Sequence, residues 1–398
     1  MKRVKNKLSI LALFLLMFSM ILSFACSPGK PASTPTGAWQ WPSTIHVGAL
    51  GSSGLPKYVS FMSVMESDTG MVVRVVPEAS PAKQSLMVKN GQIFCSSVSK
   101  TGLSSMLEAE GDFATRDGGP WPVRVLWIHD LSNAGFFVRG DSTIKTPGDI
   151  KPGTRIATWD MKDSTLRWPR ALLKWANIDE KDIIWADMGT TDASVRAVTD
   201  GRADIMFFFP ISPMMYEAAA APKGIRYVDL NPEKDSEGVK RFHTVIPGIT
   251  FAPITVGPDG AKGHWGTVTH QLMVTRESSD NEMVYHFSKW MGDNYLKYKD
   301  AFSTNVYMTM SNLVEALGLT FVPAHEGLIK LLKEKKLWTE ALESRNKSNL
   351  ALVSTQIKAY QDAIEQASKA GISVAPNNKA WSDFWAKYRT DNKIPPVG

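Results

Sequence analysis

In the stretch "ATWDMKDSTLRWPRALLKWANI", residues 157–178, Asp163, Ser164 and Thr165 stand between a strand-like segment and an amphipathic run carrying Leu172, Leu173 and Trp175. The first N–H groups of a helix have no partner within it, and the helix dipole leaves partial positive charge there. Two chemistries fit. Either Asp163 or Thr165 caps the helix, a role these side chains favour, or the helix end receives an anion. In the second case Ser164 and Thr165 add hydroxyl donors, and Arg167 or Arg170 adds charge. The spacing predicts the helix over 166–176. Trp159 is the neighbouring aromatic candidate, with packing as its alternative role.

Other segments have a similar logic. In "LGSSGLPKY", Gly51 and Gly54 permit tight turning, and Ser52 and Ser53 offer small donors ahead of a helix near Lys57; an ordinary strand–helix turn is the alternative. "CSSVS" supplies Ser96 and Ser97 at the end of a third strand, where doubly wound sheets present ligand loops. In "MFFFPISPMMY" the three phenylalanines cannot all face one side of a strand. Phe207 or Phe209 belongs to the core, while Phe209 and Ser212 are placed to line a cleft. His270 is a candidate ligand contact, but a satisfied core histidine is the simpler reading.

Enzyme chemistry is thinly supported. "HEGLI" fails the His-Glu-x-x-His zinc pattern because Ile329 stands where the second ligand belongs. "GSSG" lacks nucleophile-elbow spacing, and no Walker loop or Cys/His cluster is present, so no cofactor and no metal are expected. Nucleic acid is not an expected partner either. Of 45 basic residues, four fall within the first seven, and without them 41 basic residues face 39 acidic ones.

These residues need elements to position them. Strand-like "TIHVGAL", "GMVVRVVPE", "QIFCSSV" and "VRVLWIHD" alternate with helical "KYVSFMSVMESDT" and "AKQSLMVKNG". A further strand, "NAGFFVRGD", leads into a second α/β set that closes near residue 230 with "GIRYVDL". The strand "TVTHQLMVT" then returns to the first set, and the remainder is helical. The expectation is an α/β protein of two lobes, residues 44–138 plus 266–398 and residues 139–265, joined by two crossing segments around a ligand cleft. At the start, "MKRVKNK", an apolar run and Cys26 have the layout of an export signal over 1–25, followed by a Pro/Ser/Thr-rich tether over 26–43. "LSFAC" resembles a lipobox, which would make Cys26 the lipidated N-terminus of a protein held at a membrane by that anchor alone. Cys95 reads as a small core hydrophobe.

Taken in order, these segments resemble the TAXI-type solute-binding proteins of TRAP transporters over roughly residues 44–340. The similarity lies in "IHVGALGSSG", "GFFVRGDSTIKTPGDIKPGTRIAT", "DSTLRWPRALLKWANI" with Thr165 on the family threonine, "VRAVTDGRADIMFFF" and "PAHEGLIKLLKEKKLW". It implies a type II periplasmic binding protein fold and a non-enzymatic receptor. Such a receptor captures a small organic anion and delivers it to TRAP-type membrane permease subunits. Departures fall on the ligand loops: Lys57 and Tyr58 replace the paired tyrosines, "CSSVS" replaces a Gln-Ser-Asp turn, and Lys162, Asp163 and Ser164 replace glycines. The competing readings are the binding lipoprotein of an ABC importer, a ligand-sensing lipoprotein, and an extracytoplasmic hydrolase.

Overall fold

The computed structural model describes residues 39–397 apart from 160, 162, 247 and 248. Pro42–Gly398 form one compact unit, and all the described helices and strands lie in it. The expected leader, and Cys26 with it, lies outside the described residues.

The chain begins as expected, with β1 (Thr44–Leu50), α1 (Gly51–Thr69), β2 (Val72–Glu78), α2 (Pro81–Lys89), β3 (Cys95–Ser99) and α3 (Lys100–Leu107). β1 pairs in parallel with both β2 and β3, as βαβ units require. α1 starts earlier than the sequence suggests. Gly51 takes φ +62, open to glycine at no steric cost, and Ser52, Ser53 and Gly54 follow it as helix rather than as a loop.

β4 runs without a break from Val123 to Arg139, where two strands were expected. Its first part pairs with β10 (Trp265–Arg276) from Val123 to Ala134. Its last part pairs with β7 (Met206–Phe208) and β8 (Ile225–Tyr227). Between β4 and β7 lie β5 (Arg155–Thr158), α4 (Asp163–Ala176), β6 (Ile184–Asp187) and α5 (Thr191–Thr199). β5 pairs with β6 and touches β7 through the bridge Ile156–Ile205. After β7 come α6 (Pro213–Ala220), β8, α7 (Ser236–His243) and β9 (Thr250–Pro253), the last pairing with β10. The main path is therefore β2-β1-β3-β10-β4-β7, with β10 antiparallel to both of its neighbours. This is the two-lobed type II layout, with β4 and β10 as its crossing strands.

Period-two alternation builds two cores around the second set of strands. Phe136, Val138, Ile156 and Phe207 face a cluster with Leu172, Trp175 and Phe242. Phe137, Ala157, Met206 and Phe208 face another with Val195, Val198 and Met215. The phenylalanine run is thus divided between the faces, and Phe209, past the strand end, is 37% exposed.

After β10 come α8 (Asn281–Asp293), α9 (Tyr295–Tyr298), α10 (Met310–Leu319), α11 (Glu326–Glu334), α12 (Glu340–Lys369) and α13 (Lys379–Asp391). α12 and α13 form the C-terminal extension and close on an aromatic cluster of Tyr360, Trp381 and Trp385. A side chain at Gly119 would collide with the Tyr360 ring at 2.1 Å, and the Tyr360 hydroxyl donates to the Thr115 carbonyl at 2.8 Å. No described helix is long and apolar enough to cross a membrane.

Candidate functional site

The candidates on the N-terminal side converge beside β4. Tyr58, on the second turn of α1, is buried, and its hydroxyl is 2.8 Å from Ser97 Oγ. Its ring lies 4.8 Å from that of His129, and the preceding Lys57 is ion-paired with Asp130 of β4. Ser96 does not join them. Adjacent strand residues point to opposite faces, and Ser96 is fully buried with no partner for its hydroxyl. The two serines therefore face opposite sides of β3, and Ser97 is the one beside Tyr58. β3 continues to Ser99, whose hydroxyl instead caps α3 by accepting the Gly102 N–H at 3.1 Å. Of Ser52 and Ser53 only the helical backbone is described.

His129 and Asp130 went unread in the sequence. Gln271 pairs with Asp130 and Leu272 with Ile128, so His129 is the extra residue of a β-bulge. Bulges recur where a sheet re-aims a side chain. Neither ring nitrogen of His129 has a hydrogen-bond partner, and the ring is 3% exposed. Burial, reinforced by the Lys57 cation, holds its pKa well below the ordinary imidazole value. A His-Asp pair directly after the apolar run "VLWI" was the available signal.

On the other side of the crossing, the helix of the opening motif begins at Asp163, three residues before its predicted start. Asp163 and Thr165 are therefore helical residues and not the cap, which corrects the capping reading. Ser164 is described as helical backbone only, and Thr165 is half-buried. Arg170 pairs with Glu180 at 3.0 Å, while Arg167 lies 3.8 Å from Glu110 and donates to the Val245 carbonyl at 3.4 Å. Trp159 packs edge-on against Phe208 at 6.3 Å, and Phe209 touches the same ring at 6.0 Å. Ser212 is half-buried at the start of α6 and makes no side-chain cap bond.

The remaining candidates resolve simply. His325 caps α11, its Nδ1 accepting the Gly327 N–H at 3.1 Å, so the failed zinc motif is a capped helix. Among the described residues no His/Cys/Asp/Glu group is arranged to hold a metal. Cys95 is fully buried, and burial raises its thiol pKa. His270 is buried but not satisfied, because its Nε2 has no partner.

With this geometry in place, the sequence profile described as the NMT1-like family matches residues 55–335. The chain belongs to the NMT1-like family. The match spans most of the segment over which the TAXI-type resemblance was read, and it goes no finer than the family. No curated protein matches this NMT1-like chain. Among solved structures it is similar to the periplasmic aliphatic sulphonate binding protein SsuA from Escherichia coli, at 13% identity, 90% coverage of each chain and a TM-score of 0.38. It is also similar to substrate binding domain 2 of GlnP from Lactococcus lactis, at 8% identity, 68% and 97% coverage and a TM-score of 0.38. A third likeness is to the OxyR C206 mutant of Corynebacterium glutamicum, at 12% identity, 77% coverage of each chain and a TM-score of 0.39. At these identities none of the three bears on ligand or partner.

Proposed function

We propose that this NMT1-like protein is an extracytoplasmic solute-binding receptor and not an enzyme. In this reading the lobes are residues 44–138 plus 266–398 and residues 139–265. A small organic anion, a carboxylate, binds between them and is handed to a TRAP-type membrane permease. The observation that carries the reading is the polarity of the crossing strands. His129, Asp130, Asn133, Thr269 and His270 are each no more than 8% exposed. A hinge needed only for support is more stable with apolar residues there, since buried polar groups carry a desolvation cost unless they are satisfied. Asp130 and Thr269 lie on one face of the crossing strands and Asn133 and His270 on the other, and ligand sites at domain interfaces use a small number of such polar groups. Lobe closure around the anion then favours one state of the receptor. In that state Tyr58 and Ser97 act from one side and the α4 N-terminus with Thr165 from the other, beside Trp159, Phe209 and Ser212.

A thermal-shift screen of organic acids, followed by calorimetry on hits, tests the function. A saturable hit supports it, and a library of carboxylates without one overturns it. The partner is read from neighbouring genes, since a TRAP permease is encoded without the ATPase that an ABC importer requires. Lipidation is tested separately: palmitate labelling that Cys26→Ala abolishes supports the anchor, and labelling that survives overturns it.

A further inference from the structure

The chain turns back on itself after α13. That helix stops at Asp391, and Lys393 takes φ +52. The Ile394 N–H donates to the Arg389 carbonyl at 2.9 Å and the Lys393 N–H to the Thr390 carbonyl at 3.2 Å. This is the paired pattern that closes a helix at a left-handed residue. Pro395, Pro396 and Val397 follow, a stiff segment because proline fixes its own φ.

The segment is anchored just past the end of α3. The buried Glu108 carboxylate pairs with Arg389 at 2.5 Å and accepts the Val397 N–H at 3.0 Å. The Ser104 hydroxyl lies 3.2 Å from both Glu108 Oε2 and the Val397 carbonyl. Trp385 of α13 donates its ring N–H to the Glu108 carbonyl at 2.8 Å, and Gln356 of α12 donates to the Pro395 carbonyl at 2.7 Å. A buried carboxylate is retained only with such partners.

The anchor stands where the two sets of strands meet. Two residues past Glu108, Glu110 is 3.8 Å from Arg167 of α4. Val397 is buried, and it lines one narrow crevice with Phe321 on one side and Arg167, Ile246 and Ile249 on the other. Phe321 follows α10 in the first lobe, whereas the other three residues belong to 139–265. α12 and α13 both lie beyond residue 335, where the family match ends.

We propose that the C-terminal extension is a strap across the lobe boundary. Glu108 and Arg389 hold its end on the first lobe, and Val397 braces the second lobe and restrains its movement. The inference rests on the division into lobes proposed above and assumes nothing about the ligand.

The test is hydrogen exchange, read by mass spectrometry on the full chain. It compares the parent protein with Val397→Asp and with the double variant Glu108→Gln/Arg389→Met. In both, α4 and the segment around Ile246 and Ile249 should exchange about tenfold faster or more, the effect expected when a buried valine no longer seals that edge. α5 should exchange as before. Val397→Leu, which keeps an apolar side chain, should match the parent. Glu108→Gln alone replaces the double variant if that one does not fold. A rise confined to α3 and the C-terminal extension overturns the proposal, since the segment would then serve the first lobe only. An equal rise in every part of the second lobe, α5 included, also overturns it, because that is general destabilisation. The strap and the receptor function fail separately. Unchanged exchange beside a saturable organic-acid hit removes the strap alone, and raised exchange at α4 without any hit removes the receptor alone.

Discussion

Lys57 on α1 and Asp130 on the crossing strand β4 form an ion pair whose side chains are 12% and 3% exposed. It fastens the first helix to the strand that leads into the second lobe. Removing one partner from a pair this buried leaves an uncompensated charge, which typically costs about 3–5 kcal/mol. Asp130→Asn and Lys57→Met should each lower the urea unfolding free energy by that order. The double variant Lys57→Met/Asp130→Leu should regain most of the loss. A double variant as unstable as the sum of the singles would show that the pair matters through its surroundings and not through its charges.

The Tyr58 hydroxyl bond to Ser97 is a smaller matter. Tyr58 is buried and its phenol pKa is raised well above normal, chiefly by burial, so it is a neutral hydrogen-bonding group. Tyr58→Phe removes one neutral hydrogen bond of 2.8 Å and should cost about 1 kcal/mol in chemical denaturation. A loss of several kcal/mol would mean that the ring packing against His129 had also changed.

Sequence and structure agree where one rule acts alone and part where two compete. The phenylalanine run of 207–209 was legible because alternation by itself divides it between two faces. β4 was not legible as one strand. Asp130, Ser132 and Asn133 are turn-forming residue types, yet here they pair with Gln271, Thr269 and Val268 in the ladder that continues past the bulge at His129. Local propensity pointed to a break, and tertiary pairing overrode it. "GSSG" misled similarly, since a positive φ at Gly51 opens a helix there as readily as a loop. α13 carried a signal that went unread: Trp381, Phe384, Trp385 and Tyr388 follow i, i+3, i+4, i+7 spacing and stack along one helix face. Tyr58 and Ser97 were named as candidates from the sequence, and the fold brings their hydroxyls to 2.8 Å. His129 and the Lys57–Asp130 pair required the fold, because nothing local places residue 57 beside residue 130.

Stability should fall with acid, and histidine is one cause. His129 and His270 both resist protonation in the folded protein, chiefly through burial, with Lys57 and Lys100 respectively adding repulsion. An unfolded imidazole titrates near 6.5. Below that pH the unfolded chain therefore binds more protons than the native one, and folding weakens as pH drops. For His270 the loss accumulates down to its folded pKa of about 4 and then levels. Each histidine contributes up to about 1.4 kcal/mol per pH unit within its window. His270→Gln should therefore show a smaller stability difference between about pH 7 and pH 5 than the parent protein. An unchanged difference would place the acid sensitivity elsewhere.

Cys95 should be chemically silent while the protein is folded. It is fully buried at the start of β3, and its raised pKa removes the thiolate that alkylating reagents need. Iodoacetamide labelling at mildly alkaline pH, located by peptide mass spectrometry, should reach Cys95 only at the rate of unfolding. Rapid labelling of the native protein would reveal local opening of β3.

Thr165 separates the two roles open to the N-terminal end of α4. The helix starts at Asp163, so Thr165 lies inside the first turn and is not its cap. Thr165→Ala should then change stability by only about 0.5 kcal/mol, within the range of propensity effects. If the hydroxyl binds the anion proposed for the cleft, affinity for a ligand found in the organic-acid screen should fall about tenfold, the equivalent of one hydrogen bond to a charged group. Calorimetry and thermal melting on the same variant distinguish the outcomes. Lost affinity at nearly unchanged melting temperature places Thr165 in the ligand site. Unchanged affinity with a lowered melting temperature returns it to a structural role.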